Sequence, residues 1–400
     1  MTERVVITGT AALVAGGASV DRLWQAARAD DALPAAVLDG SWIERAAGVE
    51  PADARVLVRH QLLALAVVEA AWTRAGLPKD RNRLRGETGS KRRHPGWATV
   101  GGTSVGGLAA MELETGEARS AAGESRLSPY ALSRWRGNSV TAAVALRFGL
   151  GGADFSVNAA SATGAQALYL AATLVRSGVA DLVVAVAVDP VLPPVLDRAI
   201  RRSGSVAPEG AGRPLSADRG GMRPVEGAGC VMVESATHAE ARGAVPWAEW
   251  RAGRVANEAH HLMAPEPSGA ALREALARVV HDGGLVPDDI DWVSLHATGT
   301  RRFDPVETTA VREFFRPRLP WLSALKRSTG HALGASGLIE AALLVEGLRR
   351  REVPAWPANL DASLGVPAAP PGPPPAPHHA LLLSQGMGGS VAVNLLERVR

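Results

Sequence analysis

The chain has 400 residues, of which 46% are hydrophobic and 21% charged, and its formal net charge is +3. This length and composition fit one large α/β unit or two fused halves, and they exclude disorder for most of the chain. Of the 43 lysine and arginine residues, only three are lysine and the rest are arginine. That is the bias of GC-rich coding, so the charge gives no reason to expect a nucleic-acid partner.

No targeting or membrane-spanning segment is expected. Residues 2–4 lead straight into a predicted strand, without the apolar region of a signal peptide. The longest apolar stretch, residues 182–196, is interrupted by Asp189 and three prolines, whereas a membrane helix needs about 20 apolar residues. Cys230, the single cysteine, lies in an apolar run and is predicted to be a small buried side chain. We therefore expect a cytoplasmic protein with no membrane partner.

Apolar runs alternate with stretches of helical periodicity along the whole chain. The predicted strands are residues 5–7, 98–100, 155–157, 182–188, 229–233, 292–295, 379–383 and 391–395. The predicted helices are residues 21–29, 57–75, 139–147, 161–177, 270–282, 306–315 and 335–350. Continuous apolar strands with intervening helices indicate sheets that are covered on both faces.

Two segments are predicted to lack regular structure. Residues 80–95 form a basic loop, for which a solvated surface insertion is favoured over a docking surface. Such a docking surface, like the arginines at 198, 201 and 202, would attract an acidic partner. Residues 367–377 are proline-rich and are predicted to be a linker or a surface loop.

Ser161 stands where a predicted strand turns into the predicted helix 161–177, which Gly178 ends. A side chain on the first turn of a helix faces unpaired backbone N–H groups, as an activated nucleophile does. In isolation, however, a serine at a helix start is an N-cap that contributes about 1 kcal/mol.

Two histidine motifs follow far downstream. His296 begins His-Ala-Thr-Gly-Thr, which contains Thr298 and Thr300 and precedes Asp304-Pro-Val-Glu307. Lys326 comes five residues before His331, which is followed by Gly-Ala-Ser-Gly at 334–337.

In this order the motifs resemble those of the β-ketoacyl synthase family of the thiolase superfamily, in which a cysteine occupies the position of Ser161. Residues 4–9, 225–229, 263–267 and 386–389 are similar to further landmarks of the family. The resemblance implies an α/β fold, a thiolase-like five-layer αβαβα sandwich made of two similar halves. We place the join near residue 240, with the nucleophile position in residues 1–240 and the histidine motifs in 241–400.

The resemblance also implies roles for individual residues. Catalytic roles fall to Ser161, His296, His331 and Lys326, substrate binding to Thr298, Thr300, Met387 and Gly388, and structural support to Asp304 and Glu307. Acyl groups are expected on the phosphopantetheine of an acyl carrier protein, with no further cofactor and no metal. The expected partners are that carrier protein and a ketosynthase-family subunit, in a heterodimer or a homodimer.

The exchange of cysteine for serine changes the expected chemistry. A helix start can help to ionise a thiol but not an alcohol, so Ser161 would need a general base, for which His296 and His331 are the candidates. An oxygen ester is a poorer acyl donor to a carbanion than a thioester, so condensation through Ser161 is expected to be slow.

Three functions remain open. A chain-length-factor-like subunit that shapes the acyl tunnel is favoured by departures from the family at Ser161, Met387, 301–303 and 216–222. An acyltransferase, decarboxylase or slow ketosynthase using Ser161, His296 and His331 is favoured by the retained histidines. A structural or binding protein on the same fold is the third.

Overall fold

The computed structural model describes residues 3–34, 36–84, 93–120, 127–370 and 372–399. Ten strands are formed by these residues. They are β1 (Val5–Val14), β2 (Trp97–Gly102), β3 (Asp154–Ser156), β4 (Leu182–Asp189), β5 (Gly227–Ser235), β6 (Ala248–Asn257), β7 (Trp292–Ser294), β8 (Trp321–Ser323), β9 (His379–Gly386) and β10 (Ser390–Arg398).

Helices connect most of these strands. They are α1 (Val20–Ala29), α2 (Gly40–Ala47), α3 (Pro51–Ala54), α4 (Arg59–Arg74), α5 (Gly106–Ser120), α6 (Ala131–Trp135), α7 (Ser139–Phe148), α8 (Thr163–Arg176), α9 (Pro194–Arg202), α10 (Ala236–Ala241), α11 (Ala270–Asp282), α12 (Phe303–Phe314), α13 (Lys326–Thr329) and α14 (Ser336–Arg350). Within the described residues, no helix combines the length and the hydropathy that crossing a membrane requires.

The strands follow one another in the order β3-β2-β4-β5-β1-β6-β10-β9-β7-β8. The first five and the last five repeat one topology, because β6 to β10 take the places of β1 to β5 in reverse direction across the sheet. In each half a parallel trio leads into two antiparallel strands. Within the sheet of the described residues, three residue pairs between β1 and β6 join the halves. The predicted α/β fold of two similar halves is confirmed, while the join near residue 240 stays a prediction.

Three apolar clusters give the fold its layers. The largest lies between the two halves of the sheet and contains the buried faces of α8 and α14. A second cluster packs α4 and α7 on the outer face of the first half, and a third packs α11 and α12 on the outer face of the second. Helix α14 is buried on all sides from Ser336 to Leu348, as a helix of a middle layer must be. Cys230 lies fully buried in β5, and burial raises the pKa of its thiol.

Helices α8 and α14 approach each other more closely than side chains would allow. A Cβ atom on Gly337 would lie 2.4 Å from the backbone nitrogen of Ala165, and one on Gly164 would lie 2.7 Å from that of Leu338. Glycine at both positions lets the two backbones touch. This contact fixes the segment before α8 against the segment before α14, which places Ser161 near His331.

Several elements were not predicted, because they are short, polar or begin at glycines. Strand β6 alternates buried positions with the exposed or half-buried Arg251 and Arg254, so it lacks a continuous apolar run. Strand β8 has only three residues, and α5 begins at the glycines 106 and 107. Elements this short or this polar carry too little periodicity to be recognised.

The two segments predicted to lack regular structure have different outcomes. In the described part of 367–377 there is no helix or strand, as predicted, and Pro367 accepts a hydrogen bond from Trp356. Of the basic loop 80–95, residues 85–92 lie outside the described residues. Arg81 is not available for docking, because it pairs with Glu69 at 2.7 Å and covers the ring of Trp72.

Candidate active site

Ser161 lies in a tight turn between β3 and α8. Ala160 has a left-handed backbone with φ of 49°, a conformation that costs a non-glycine residue energy and is found at functional sites. Helix α8 begins at Thr163 with Ala162 as its N-cap, so the prediction that Ser161 lies on the first helical turn is wrong by two residues. The Ser161 hydroxyl has no hydrogen-bond partner among the described residues. Ser161 is therefore not an N-cap.

The loop that carries His296 follows β7, and two buried carboxylates accept hydrogen bonds from its backbone N–H groups. Glu307 accepts the backbone N–H groups of His296 at 2.6 Å and of Ala297 at 2.8 Å. Asp304 accepts the N–H of Gly299 at 3.0 Å. Burial raises the pKa of Glu307 to about 7 and that of Asp304 to about 6, against the opposing effect of these N–H donors.

Lys326 contacts both the backbone and the ring of His296. Its Nζ donates to the His296 carbonyl oxygen at 2.7 Å and to Glu340 Oε1 at 2.6 Å, and it lies 3.3 Å from His296 Nδ1. Lys326 and Glu340 are both buried, so this is an ion pair out of contact with solvent. An ammonium has only donors, so the Nδ1 atom of His296 faces a donor.

His331 is oriented by its own loop. Its Nδ1 accepts the backbone N–H of Leu333 at 3.0 Å and lies 3.2 Å from the Ser336 hydroxyl. Its Nε2 is buried and has no partner among the described residues. The N–H of Gly334 is held in turn by Asp189, at 2.7 Å.

These contacts assign the same tautomer to both rings. Because each Nδ1 faces a donor, each neutral imidazole carries its proton on Nε2. Burial and the Lys326 ammonium lower the pKa of His296 and of His331 well below the usual value. Both rings are therefore neutral hydrogen-bond donors at neutral pH.

The two rings meet Ser161 at one small cavity. Their centroids are 5.8 Å apart and the ring planes are nearly perpendicular. The cavity has a volume of about 30 Å³. It is lined by Ser161, Ser205, Met222, His296, Thr298, Thr300, Phe303, His331, Gln385 and Met387.

Six of the ten predicted site residues thus line the cavity, and four do not. Asp304 and Glu307 bind the backbone of the His296 loop instead. Lys326 lies behind His296, and Gly388 lies in the turn between β9 and β10, where its N–H bonds to Leu262. That turn still abuts the Ser161 segment, because a Cβ atom on Gly386 would lie 2.4 Å from the Ala159 carbonyl oxygen.

Gln385, Glu340 and Asp189 also belong to the site or support it, although no role was predicted for them. Asp189 is the single polar residue of β4, Glu340 is flanked by apolar residues in α14, and Gln385 follows Ser384 at the end of the apolar run of β9. Such a residue is expected to have a specific partner or function. This signal was present in the sequence.

A larger cavity of about 500 Å³ adjoins the first and shares Thr298 and His331 with it. Arg213 and Arg327, in its lining, both pair with Asp30. Arg223 also lines it and has no carboxylate partner among the described residues. Burial and the charge of Arg213 lower the pKa of Arg223.

Family models match both parts of the chain. Residues 35–239 match the β-ketoacyl synthase N-terminal domain, and residues 247–359 match the β-ketoacyl synthase C-terminal domain.

Named relatives and solved structures agree. The chain is 30% identical over 328 residues to 3-oxoacyl-[acyl-carrier-protein] synthase 2 of Mycobacterium tuberculosis, covering 80% of this chain and 75% of that one. It is 32% identical over 254 residues to the chloroplastic 3-oxoacyl-[acyl-carrier-protein] synthase I of Arabidopsis thaliana, covering 62% of this chain and 53% of the relative.

Among solved structures, the ishigamide ketosynthase/chain length factor superposes with a TM-score of 0.86 at 23% identity, over 100% of both chains. A type II polyketide synthase acyl-carrier protein in complex with its ketosynthase gives 0.82, also at 23% identity and over 100% of both chains. At this identity the likeness concerns the fold, which is the thiolase-like fold of ketosynthases. With both domain models matched in order, this chain belongs to the β-ketoacyl synthase family.

Proposed function

We propose that this chain is the non-condensing subunit of a ketosynthase pair that works on acyl chains bound to an acyl carrier protein, in polyketide or specialised fatty acid biosynthesis. One observation carries the proposal. The nucleophile position holds an alcohol, and both imidazoles that face it are neutral with their protons on Nε2. Ser161 therefore has no base to remove its proton, and an acyl chain is not expected to be carried there.

The size of the cavity supports a role that resembles a chain length factor. A volume of about 30 Å³ holds about one water molecule. An acyl chain could enter only if the walls formed by Met222, Phe303 and Met387 moved. A chain that grows on the partner's cysteine would instead be limited by the surface that this subunit presents.

An unpartnered apolar face supports a second subunit. Strand β3 is the outermost strand of its half, and all three of its residues are exposed. Phe155 on β3, Leu146 on α7 and Leu132 on α6 expose 45%, 50% and 65% of their surfaces. These three elements are neighbours. Exposed edge strands and contiguous apolar patches mark interaction surfaces.

Phe155→Asp is expected to separate the pair, because it places a charge on this apolar face. The measurement is native mass spectrometry of the chain co-expressed with a ketosynthase that has an intact cysteine. Val245→Asp is the control, since Val245 is 77% exposed and lies outside β3, α6 and α7. Retention of a one-to-one complex by Phe155→Asp would contradict the proposed interface.

The larger cavity supports a route by which the phosphopantetheine arm of a carrier protein reaches the site. Its 500 Å³ could admit a phosphopantetheine group, and the unpaired Arg223 gives it a positive charge that would attract an anion. The relatives named above are 3-oxoacyl-[acyl-carrier-protein] synthases, and one structural neighbour is a carrier protein complex.

The absence of an acyl adduct tests the proposal. After incubation with an acyl carrier protein that bears an acyl thioester, intact-mass spectrometry of the wild-type chain is expected to give no adduct. Ser161→Cys is expected to become acylated, since a thiol ionises near neutral pH without a base. A stoichiometric wild-type adduct that Ser161→Ala abolishes would contradict the proposal.

A second function is favoured by a separate observation. His296 and His331 line one cavity, their Nδ1 atoms face other donors, and the Nε2–H of His331 has no partner among the described residues. Two convergent N–H donors suit the oxygen of a thioester carbonyl as it becomes an enolate. We therefore propose that the site decarboxylates a malonyl-type thioester, which needs no nucleophile at position 161. Because the cavity of about 30 Å³ holds about one water molecule, a malonyl group also requires the walls formed by Met222, Phe303 and Met387 to move.

The experiment is to incubate the chain with malonyl carrier protein and to follow its conversion to acetyl carrier protein by mass. Conversion at the same rate in wild type and Ser161→Ala is expected. Conversion that needs the Ser161 hydroxyl would favour acyl transfer through serine instead.

A further inference from the structure

Gln385 is a buried amide with no partner. It lies on β9 next to the turn at Gly386, and only 1% of its surface is exposed. Neither its Oε1 nor its Nε2 has a hydrogen-bond partner among the described residues. Buried amides almost always have partners, and one without them destabilises the fold. A residue of this kind needs an explanation outside the folded chain's own contacts.

Its position supplies one. Gln385 lines the same cavity as Ser161, His296 and His331. The preceding residue of β9, Ser384, is also buried and has no hydrogen-bond partner in the described part of the chain, but it does not line the cavity. The two side chains point to opposite faces of the strand. Of these two side chains, only the amide of Gln385 is thus available to a molecule bound beside the histidines.

The polar groups that face the cavity are rich in donors. His296 and His331 each offer one Nε2–H, Gln385 has an amide nitrogen with two N–H donors beside its acceptor oxygen, and Ser161, Ser205, Thr298 and Thr300 add hydroxyls. Every one of these side chains can donate a hydrogen bond, and no carboxylate of the described residues lines the cavity. Such a set complements a ligand with several acceptor oxygens and few donors. A malonyl-type thioester has a carbonyl oxygen and a carboxylate, whereas an acetyl thioester has the carbonyl oxygen alone.

We propose that the Gln385 amide nitrogen binds the carboxylate of a malonyl-type thioester while the two imidazoles bind its carbonyl oxygen. This inference rests on the decarboxylation proposed above and adds a specificity residue to it. The donor is neutral. A neutral amide holds a carboxylate less tightly than a guanidinium would, so it can position the group without preventing its departure.

The reaction balances with these groups and one water molecule, which gives a proton and leaves as hydroxide. The bond between the carboxylate carbon and the α-carbon breaks, and its electron pair moves into the enolate. The enolate oxygen accepts hydrogen bonds from the two imidazole N–H groups. The carboxylate leaves as carbon dioxide. A proton from water then adds to the α-carbon and gives the acetyl thioester.

Binding of stable analogues tests the proposal independently of turnover. The probes are malonyl- and acetyl-pantetheine in which an amide replaces the thioester, and isothermal titration calorimetry gives their dissociation constants. The wild-type chain is expected to prefer the malonyl probe. Gln385→Met, which keeps the length of the side chain, is expected to lower that preference about 10-fold or more and to leave acetyl binding unchanged.

Stability provides the second readout. Since Gln385→Met removes an unpaired buried amide, its melting temperature is expected to equal or exceed that of the wild type. Ser384→Ala is the matched control, expected to leave the malonyl preference unchanged.

An unchanged preference in Gln385→Met, or none in the wild type, would overturn the inference. A fall in melting temperature with unchanged preference would mean that the amide bonds a buried water and is structural. If the preference depends on Gln385 but no carbon dioxide is released, the inference stands and the decarboxylation proposal fails.

Discussion

Glu340→Ala is expected to lower the free energy of unfolding by about 3–5 kcal/mol. Glu340 is the only carboxylate that pairs with Lys326 among the described residues, and both side chains are buried. Its removal leaves an ammonium in the protein interior without a counter-charge. Because that ammonium also holds the His296 carbonyl oxygen, the loop of His296 should loosen as well.

Urea denaturation of the wild type and the variants measures this effect. The double variant Lys326→Met with Glu340→Leu removes both charges and is expected to recover much of the loss. Glu352→Ala is the control, because its pair with Arg28 is exposed and should contribute less than about 1 kcal/mol. A loss below about 1 kcal/mol in Glu340→Ala would mean that Lys326 is already neutral or solvated.

His331→Ala is expected to lower the rate of malonyl decarboxylation by about 10²- to 10³-fold, the effect of removing one donor to a developing oxyanion. The Nε2–H of His331 is buried and unpaired, so it is ready for the substrate oxygen. The rate is measured as the formation of acetyl carrier protein. A variant that retained more than a third of the wild-type rate would remove His331 from the reaction.

The pH profile of the decarboxylation rate distinguishes a histidine that donates a hydrogen bond from one that acts as a base. Burial and Lys326 lower the pKa of both rings well below 6.5, so both stay neutral between pH 6 and 8. The wild-type decarboxylation rate should therefore show no inflection from either ring over this range, and an inflection that persists in His331→Ala would belong to Asp304 or Glu307, whose pKa values burial raises to about 6 and about 7. An inflection near pH 6.5 that disappears in His331→Ala would show a ring with its ordinary pKa.

The sequence motifs of this chain predicted most of the residues of the site. The glycines at 164 and 337 are needed where α8 meets α14, and Asp304 and Glu307 follow His296 at the spacing that lets them reach its loop. Each of these constraints acts over a few residues or at a fixed glycine, so it is visible as a local pattern.

The proton positions were beyond such patterns. His296 or His331 was predicted to be a general base for Ser161, but the Nδ1 atoms face Lys326 and the Leu333 N–H. The first contact joins residues 30 positions apart, and the second lies within one loop and depends on the orientation of the ring. Together they decide which nitrogen carries the proton. The start of α8 was placed two residues early for a similar reason, since the left-handed turn at Ala160 has no glycine to announce it.

Nuclear magnetic resonance of the histidine side chains, labelled with ¹⁵N, tests the central claim most directly. Spectra at pH 7 with His296→Gln and His331→Gln for assignment are expected to place the proton of each ring on Nε2. If either ring carries its proton on Nδ1, its Nε2 is a base that faces Ser161. That result would contradict the proposal that the serine cannot be acylated.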